Sequence, residues 1–430
     1  MKKTFMPGFR DRRQLEGHQL AGLKWSVSHV YQGSSFYQKR FDEAGVRLSD
    51  IQSLKDIRHL PFTQADDLRE NYPFPFLSVP GSLVVRVHAS SGTTGKRKIL
   101  AYTKKDIDDW AHFFARCYEM AGVTEQDRVQ IAVGYGIWTA GVGFQLGLEN
   151  LGAMAIPTGP GNVDMQCQFL VDLQSTVMCC TASMALLMAE EIDRRNLREK
   201  IALQKIIFGS ERSSDAMRRR IKELMGLEDM FDITGMTELW GPGAGLDCPK
   251  HEGIHYWADY FILEILDPDT LEPVSAGETG EMVITTLSKE ASPLIRYRTR
   301  DLTRLIEHPC SCGNVFPMHD KILGRSDDMV VFRGVNIYPG QIDQILSAIP
   351  EIASEYQMVL DRRDDGRDYL TLRVECHGSS DPLEKDEIAK MISETVKKKM
   401  LFSCTTEVLN YNSLPRSEKK SKRVFDNRAN

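Results

Sequence analysis

The stretch "VHASSGTTGKRK" at residues 87–98 packs glycines, hydroxyls and cations into a dozen positions. Gly92 and Gly95 allow a tight turn with inward-facing amides. Ser90, Ser91, Thr93 and Thr94 can donate hydroxyl hydrogen bonds to phosphate oxygens, and Lys96 adds a point charge. The segment does not follow the P-loop pattern. That pattern needs four residues before its Gly-Lys and a Ser or Thr after the lysine, whereas here two threonines separate the glycines and Arg97 follows. A second constellation is sulfur- and imidazole-based: Cys248, His251 and His255 in "DCPKHEGIHYW", then Cys310 and Cys312 in "HPCSCGN". A Cys-x-Cys pair plus a distant Cys/His group offers four soft ligands, which suit a closed tetrahedral zinc. Free thiols and surface histidines are the plain alternative. No Ser-His or Cys-His nucleophile arrangement stands out.

These groups need a scaffold. Residues 1–80 carry apolar positions at helical spacing until "LPF" and "YPFPFL" interrupt them. Thereafter "VQIAVGYG", "AMAIPTG", "TVMCCTA" and "KIIFGSE" read as buried strands, each followed by a helical segment, which predicts a parallel sheet flanked by helices. Ligands of such sheets bind at the carboxyl ends of the strands, where "GYG", "GPG", "FGSE" and "ITGMTE" fall. Past residue 255 the runs turn antiparallel in character ("YFILEILDP", "GEMVITTL"). An Arg/Asp-rich joint then leads into a smaller unit of alternating strands and helices. The expectation is an α/β protein with a large N-terminal domain, 1–324, containing a smaller β subdomain, and a small mobile α+β domain, 325–430.

The chain has 430 residues, a formal net charge of −6, 42% hydrophobic and 27% charged residues. It reads as folded, with no bulk attraction to nucleic acid or anionic membrane. There is no signal-peptide pattern or spanning apolar stretch. Nine irregularly spaced cysteines suggest reduced thiols and a cytoplasmic location. An apolar N-terminal helical region leaves a homodimer open. "GPGAG" lacks the glycine spacing of a dinucleotide-binding turn.

From "FYQKRFDEAGV" to "LPRSEKKSKRVFDNR", the motifs and their order resemble the adenylate-forming superfamily (acyl-CoA synthetases, peptide-synthetase adenylation domains, luciferases), and within it the phenylacetate–coenzyme A ligase branch. The resemblance makes "HASSGTTGK" a phosphate loop gripping the pyrophosphate end of ATP. In "DITGMTELWGPG", spanning Asp232, Thr234, Gly235 and Met236, it gives Thr237 to the α-phosphate and Glu238 to Mg²⁺. Thr234 stands where the family usually has Tyr. Gly209, Ser210 and Glu211 of "IIFGSERSS" correspond to the adenine edge, and Asp301 of "YRTRDLTRL" to the ribose hydroxyls. The plain alternative for Asp301 is a surface ion pair with Arg298 or Arg300, worth little.

In "GRSDDMVVFRGVNIYP", the resemblance sends Arg325 to the ribose, makes Asp327 a hinge and puts Gly334 beside the pantetheine arm of CoA. Spacing from Pro415 and Arg423 selects Lys420 in "PRSEKKSKR" as the catalytic lysine, although the usual glycine is Lys419. Tyr135, Gly136, Ile137 and Trp138 form a candidate slot for an aryl ring. Within this branch the zinc ligands would be Cys248, His255, Cys310 and Cys312, with His251 as substitute. The implied reaction is Mg·ATP-dependent activation of an aryl-acetic acid, followed by transfer to CoA. A carrier protein or a coenzyme F390 synthetase-like acceptor is the alternative, as is a nucleotide-binding sensor without catalysis.

Overall fold

The hydroxyl-rich segment is bracketed by a hairpin, β1 (Arg86–Ala89) and β2 (Ile99–Tyr102). In this computed structural model the described residues are 4–428, apart from 71, 91–96, 138–139, 212, 214, 329, 334, 347, 363–366, 378–380, 401 and 416–422. Ser91, Gly92, Thr93, Thr94, Gly95, Lys96, Trp138, Gly334 and Lys420 therefore lie outside them.

The apolar runs form β3 (Arg128–Ile131), β4 (Met154–Ile156), β5 (Val177–Thr181), β6 (Lys205–Gly209) and β7 (Asp229–Met236). They pair in parallel in the order β4-β3-β5-β6-β7. The sheet then reverses. Only residues 237–240 separate β7 from β8 (Gly241–Asp247), too few for the crossover that a parallel neighbour requires, so β8 turns back antiparallel. The strand β9 (Ile254–Tyr256) follows on the far side of β8. A three-stranded antiparallel group comes next, β10 (Phe261–Leu266), β11 (Gly280–Thr286) and β12 (Tyr297–Thr303). The main sheet ends on β14 (Met318–His319) beside β9, and β13 (Leu305–Ile306) at the edge. It is thus a mixed sheet, broader than the parallel one that the sequence periodicity predicts. Gly245 in β8 permits this close pairing, because a Cβ there would meet His255 O at 2.2 Å.

Helix Lys104–Met120 starts on a capping box in which Thr103 and Asp106 satisfy each other's backbone amides. It buries Trp110, Phe113, Phe114 and Tyr118 in the core. Arg116, on the same helix, makes a buried two-point ion pair with Asp259 at 2.8 and 2.7 Å and lies over the Trp257 ring.

The chain divides into two compact units. One holds residues 1–181, 199–209 and 227–322; the other holds 182–198, 210–226 and 323–430. In the second, helix Pro382–Met400 is the crossover between parallel strands Asp368–Cys376 and Thr405–Leu409. Strand Ile352–Arg362 pairs with Asp368–Cys376 on one side and with Val424–Asp426 on the other. Met358, Leu360, Leu372, Val374, Ile392 and Val396 form its core. Helices Ala182–Arg194 and Asp215–Met225 pack on each other in this unit and are tied by Arg220–Glu190 at 3.3 Å. Among the described residues, no helix is long and apolar enough to cross a membrane.

Candidate active site and thiol–imidazole cluster

Three sequence-distant segments meet at one carboxylate. Glu238 sits in the turn between β7 and β8 and is 5% exposed. Its Oε1 is ion-paired with Lys98, two residues past the phosphate-loop segment, and accepts a 3.0 Å hydrogen bond from the Tyr297 hydroxyl of β12. Burial alone would raise the Glu238 pKa, but the Lys98 charge and hydrogen bonds outweigh it and hold the carboxyl below its usual range. The Glu238 backbone carbonyl accepts from buried Lys289 at 2.8 Å, and that ammonium lies over the Tyr102 and Trp240 rings. Burial brings the Lys289 pKa down to about 7, against the pull of Asp106 and Glu238. Tyr102 in turn donates to Thr237 O at 3.0 Å and Trp240 O at 3.2 Å, which fixes the turn on both sides of Glu238.

The neighbouring positions are shaped by backbone geometry. Gly235 has φ 151°, and a Cβ there would lie 2.3 Å from Gly241 O, at the irregularity in the β7–β8 register next to Thr234. Asp232 and Met236 lie on the same strand. Gly209 ends β6 and Ser210 takes a left-handed φ of 70°. Glu211 accepts from Ser183 N–H at 2.9 Å through Oε2, while its buried Oε1 has no hydrogen-bond partner. Asp301 lies on β12, its amide donating to Thr299 Oγ1 at 3.0 Å. Arg298 makes a two-point pair with Glu281 at 2.9 and 2.8 Å, and Arg300 reaches the same carboxylate at 3.5 Å. The two arginines beside Asp301 are thus directed to β11.

In the segment expected to border the acid, the Tyr135 ring lies so close to Gly141 that a Cβ there would meet it at 2.5 Å. Its hydroxyl is buried without a hydrogen-bond partner, and burial pushes its pKa up to about 12. Gly136 follows with φ 99°, and Ile137 is exposed. In the second unit, Arg325 and Asp327 form a two-point pair at 2.8 and 2.7 Å.

The four sulfur and imidazole ligands converge. One ligand atom from each of Cys248, His255, Cys310 and Cys312 lies within 4.8 Å of all the others. The Cys248 and Cys310 sulfurs are 3.4 Å apart, and Cys312 Sγ is 3.3 Å from His255 Nε2. A zinc at about 2.3 Å from each sulfur would set sulfurs about 3.8 Å apart, so small adjustments give tetrahedral ligation. His255 Nδ1 is 2.9 Å from Phe316 O, which makes Nδ1 the protonated nitrogen and turns the Nε2 lone pair toward the thiols. His251 stands apart, bridging Asp247 at 2.7 Å and Asp229 at 2.9 Å, and the hydrogen bond to Asp247 is the main cause of its raised pKa.

Lys98, Tyr297 and Lys289 were not singled out from the sequence. Lys98 could have been suspected from its place beside the loop, and Tyr297 from its place in "YRTRD". Nothing local marks Lys289.

Residues 52–288 match the AMP-binding enzyme family, and 334–428 match the AMP-binding enzyme C-terminal domain. The chain is 39% identical to phenylacetate-coenzyme A ligase of Escherichia coli K12, over 96% of this chain and 95% of that one. It is 40% identical to the Thermus thermophilus enzyme of the same name, over 90% and 86%. Among solved structures, 2-hydroxyisobutyryl-CoA ligase in the postadenylation state, in complex with 2-HIB-AMP, superposes with a TM-score of 0.89 at 26% identity, covering 98% of this chain and 91% of that one.

Proposed function

The chain belongs to the phenylacetate–coenzyme A ligase family of AMP-binding enzymes, an ATP-dependent acid–CoA ligase, and on that premise we propose that it converts an aryl-acetic acid to its CoA thioester through an acyl-adenylate. The observation that carries the site assignment is the meeting at Glu238 of three motifs far apart in sequence: the loop-flanking Lys98, the Glu238 turn, and β12 with Tyr297 and Asp301. The acid carboxylate attacks the α-phosphorus, the bond to the β-phosphate breaks, and pyrophosphate leaves. Ser90 to Lys96 grip the departing pyrophosphate, and Thr237 contacts the α-phosphate. Asp301 accepts the ribose hydroxyls, with Arg325 on the same sugar, and the 209–211 turn borders the adenine.

Mg²⁺, when bound, supplies charge that steadies the phosphates. Glu238 is fit to hold it, being a fixed, ionised oxygen ligand that already carries a cation, Lys98. Lys420 bridges the attacking and α-phosphate oxygens during adenylation. The unit from residue 325 onward then pivots near Asp327, Lys420 withdraws, and the CoA thiol, entering past Gly334, attacks the acyl carbon and displaces AMP. Tyr135, Gly136, Ile137 and Trp138 border the ring of the acid. Cys248, His255, Cys310 and Cys312 hold a structural zinc, since protein fills all four positions.

Pyrophosphate release with Mg·ATP is to be measured across aryl-acetic, indolyl and aliphatic acids, with and without CoA. Aryl-acetic acids should give pyrophosphate, AMP and thioester, and Lys420→Ala should lose about 100-fold or more of the release. Turnover indifferent to CoA would move the acyl acceptor elsewhere. No acid-dependent release despite ATP binding would overturn the ligase reading.

A further inference from the structure

The ion pair of Lys98 with Glu238 joins residues 140 positions apart, with side chains 18% and 7% exposed. Both partners are held. Lys98 N–H donates to Ser90 Oγ at 3.2 Å, and its carbonyl accepts from Ser90 N–H at 3.0 Å. The Lys98 backbone is therefore anchored two residues past segment 91–96. Glu238 is fixed by Tyr297 at its Oε1 and by Lys289 at its carbonyl.

A buried carboxylate is costly without a counter-charge, and an ammonium and a divalent ion on one carboxylate oxygen repel each other. Lys98 and the metal are therefore competitors. We propose that Lys98 is a tethered stand-in for the divalent cation, making metal binding at Glu238 conditional on nucleotide. This rests on the reading of Glu238 as the Mg²⁺ ligand. In the free enzyme Lys98 neutralises the carboxylate. Magnesium takes the carboxylate only when phosphate oxygens are at hand to receive the displaced ammonium. From the loop's neck, a lysine on a flexible four-carbon stem can reach either partner. The enzyme thereby avoids holding a divalent ion without ATP, and Lys98 becomes a phosphate contact once ATP arrives.

The test is Mn²⁺ binding followed by electron paramagnetic resonance, with and without a non-hydrolysable ATP analogue. Wild type should bind the ion at this site only with the analogue. Lys98→Met should bind Mn²⁺ at least 10-fold more tightly without nucleotide, and Lys98→Met/Glu238→Gln should lose that gain, which separates the site from the thiol cluster. Lys98→Arg, which keeps the charge and the fold, should behave as wild type. Unchanged nucleotide-free affinity in Lys98→Met would overturn the inference, and loss of the nucleotide-dependent site in Glu238→Gln would show that the reading of Glu238 survives it. If Glu238→Gln keeps that site, Glu238 is not the ligand, and both fall.

Discussion

We assign two metal sites among the described residues, and they are built on opposite principles. At Cys248, His255, Cys310 and Cys312, four ligand atoms converge, with no ion pair to any of them among the described residues, and Phe316 O orients the imidazole. At Glu238 a single hard oxygen ligand is already paired with the chain's own Lys98. The first arrangement gains nothing by being empty, since buried Cys248 and Cys310 thiols are pushed toward their neutral form until a cation offsets the burial. The second already has its counter-charge in Lys98, and on the proposed reading this makes its metal exchangeable. Permanence and exchange follow from whether the protein supplies the counter-charge itself. The thiol–imidazole cluster brings β9 to residues 310–312, while Glu238 stands where three sequence-distant segments meet.

The largest effect that would sharpen this contrast is Cys248→Ala. It should remove bound zinc and cost more than about 4 kcal/mol of stability, read from metal content and denaturant unfolding. Acid-dependent pyrophosphate exchange per folded molecule should persist. Glu238→Gln should do the reverse. Exchange should fall about 100-fold, with zinc content unchanged and the thermal midpoint lowered, because Lys98 loses its buried partner. The smallest effect is expected from His251→Ala. Zinc content should stay at one per chain, and the lost links to Asp247 and Asp229 should cost about 1 kcal/mol. Loss of zinc in that variant would place His251 among the ligands and break the separation drawn here.

Much of this was legible in the sequence, and what was not has a physical reason. Val177–Thr181 reads as a strand because nearly every side chain is buried, which leaves a continuous apolar run. The thiol–imidazole cluster could be anticipated because thiols and imidazoles are scarce and chemically distinct. Their convergence still depends on β9 pairing with β14, which aligns His255 with Met318. "GPGAGLD" gave no strand signal, because its glycines serve close backbone approach rather than side-chain packing. Helices Ala182–Arg194 and Asp215–Met225 read correctly as helices, but their grouping with the C-terminal unit is a matter of packing that local periodicity does not encode. Lys98 and Lys289 escaped for the same reason. A lysine in sequence is most often a solvated charge, and only the tertiary fold puts these two against Glu238.

The most direct measurement is metal content and activity of one preparation after exhaustive EDTA treatment. The account predicts one zinc retained per chain, no acid-dependent adenylation, and full recovery on adding Mg²⁺ alone. Zinc lost to the chelator in step with activity, or recovery that needs zinc, would contradict it.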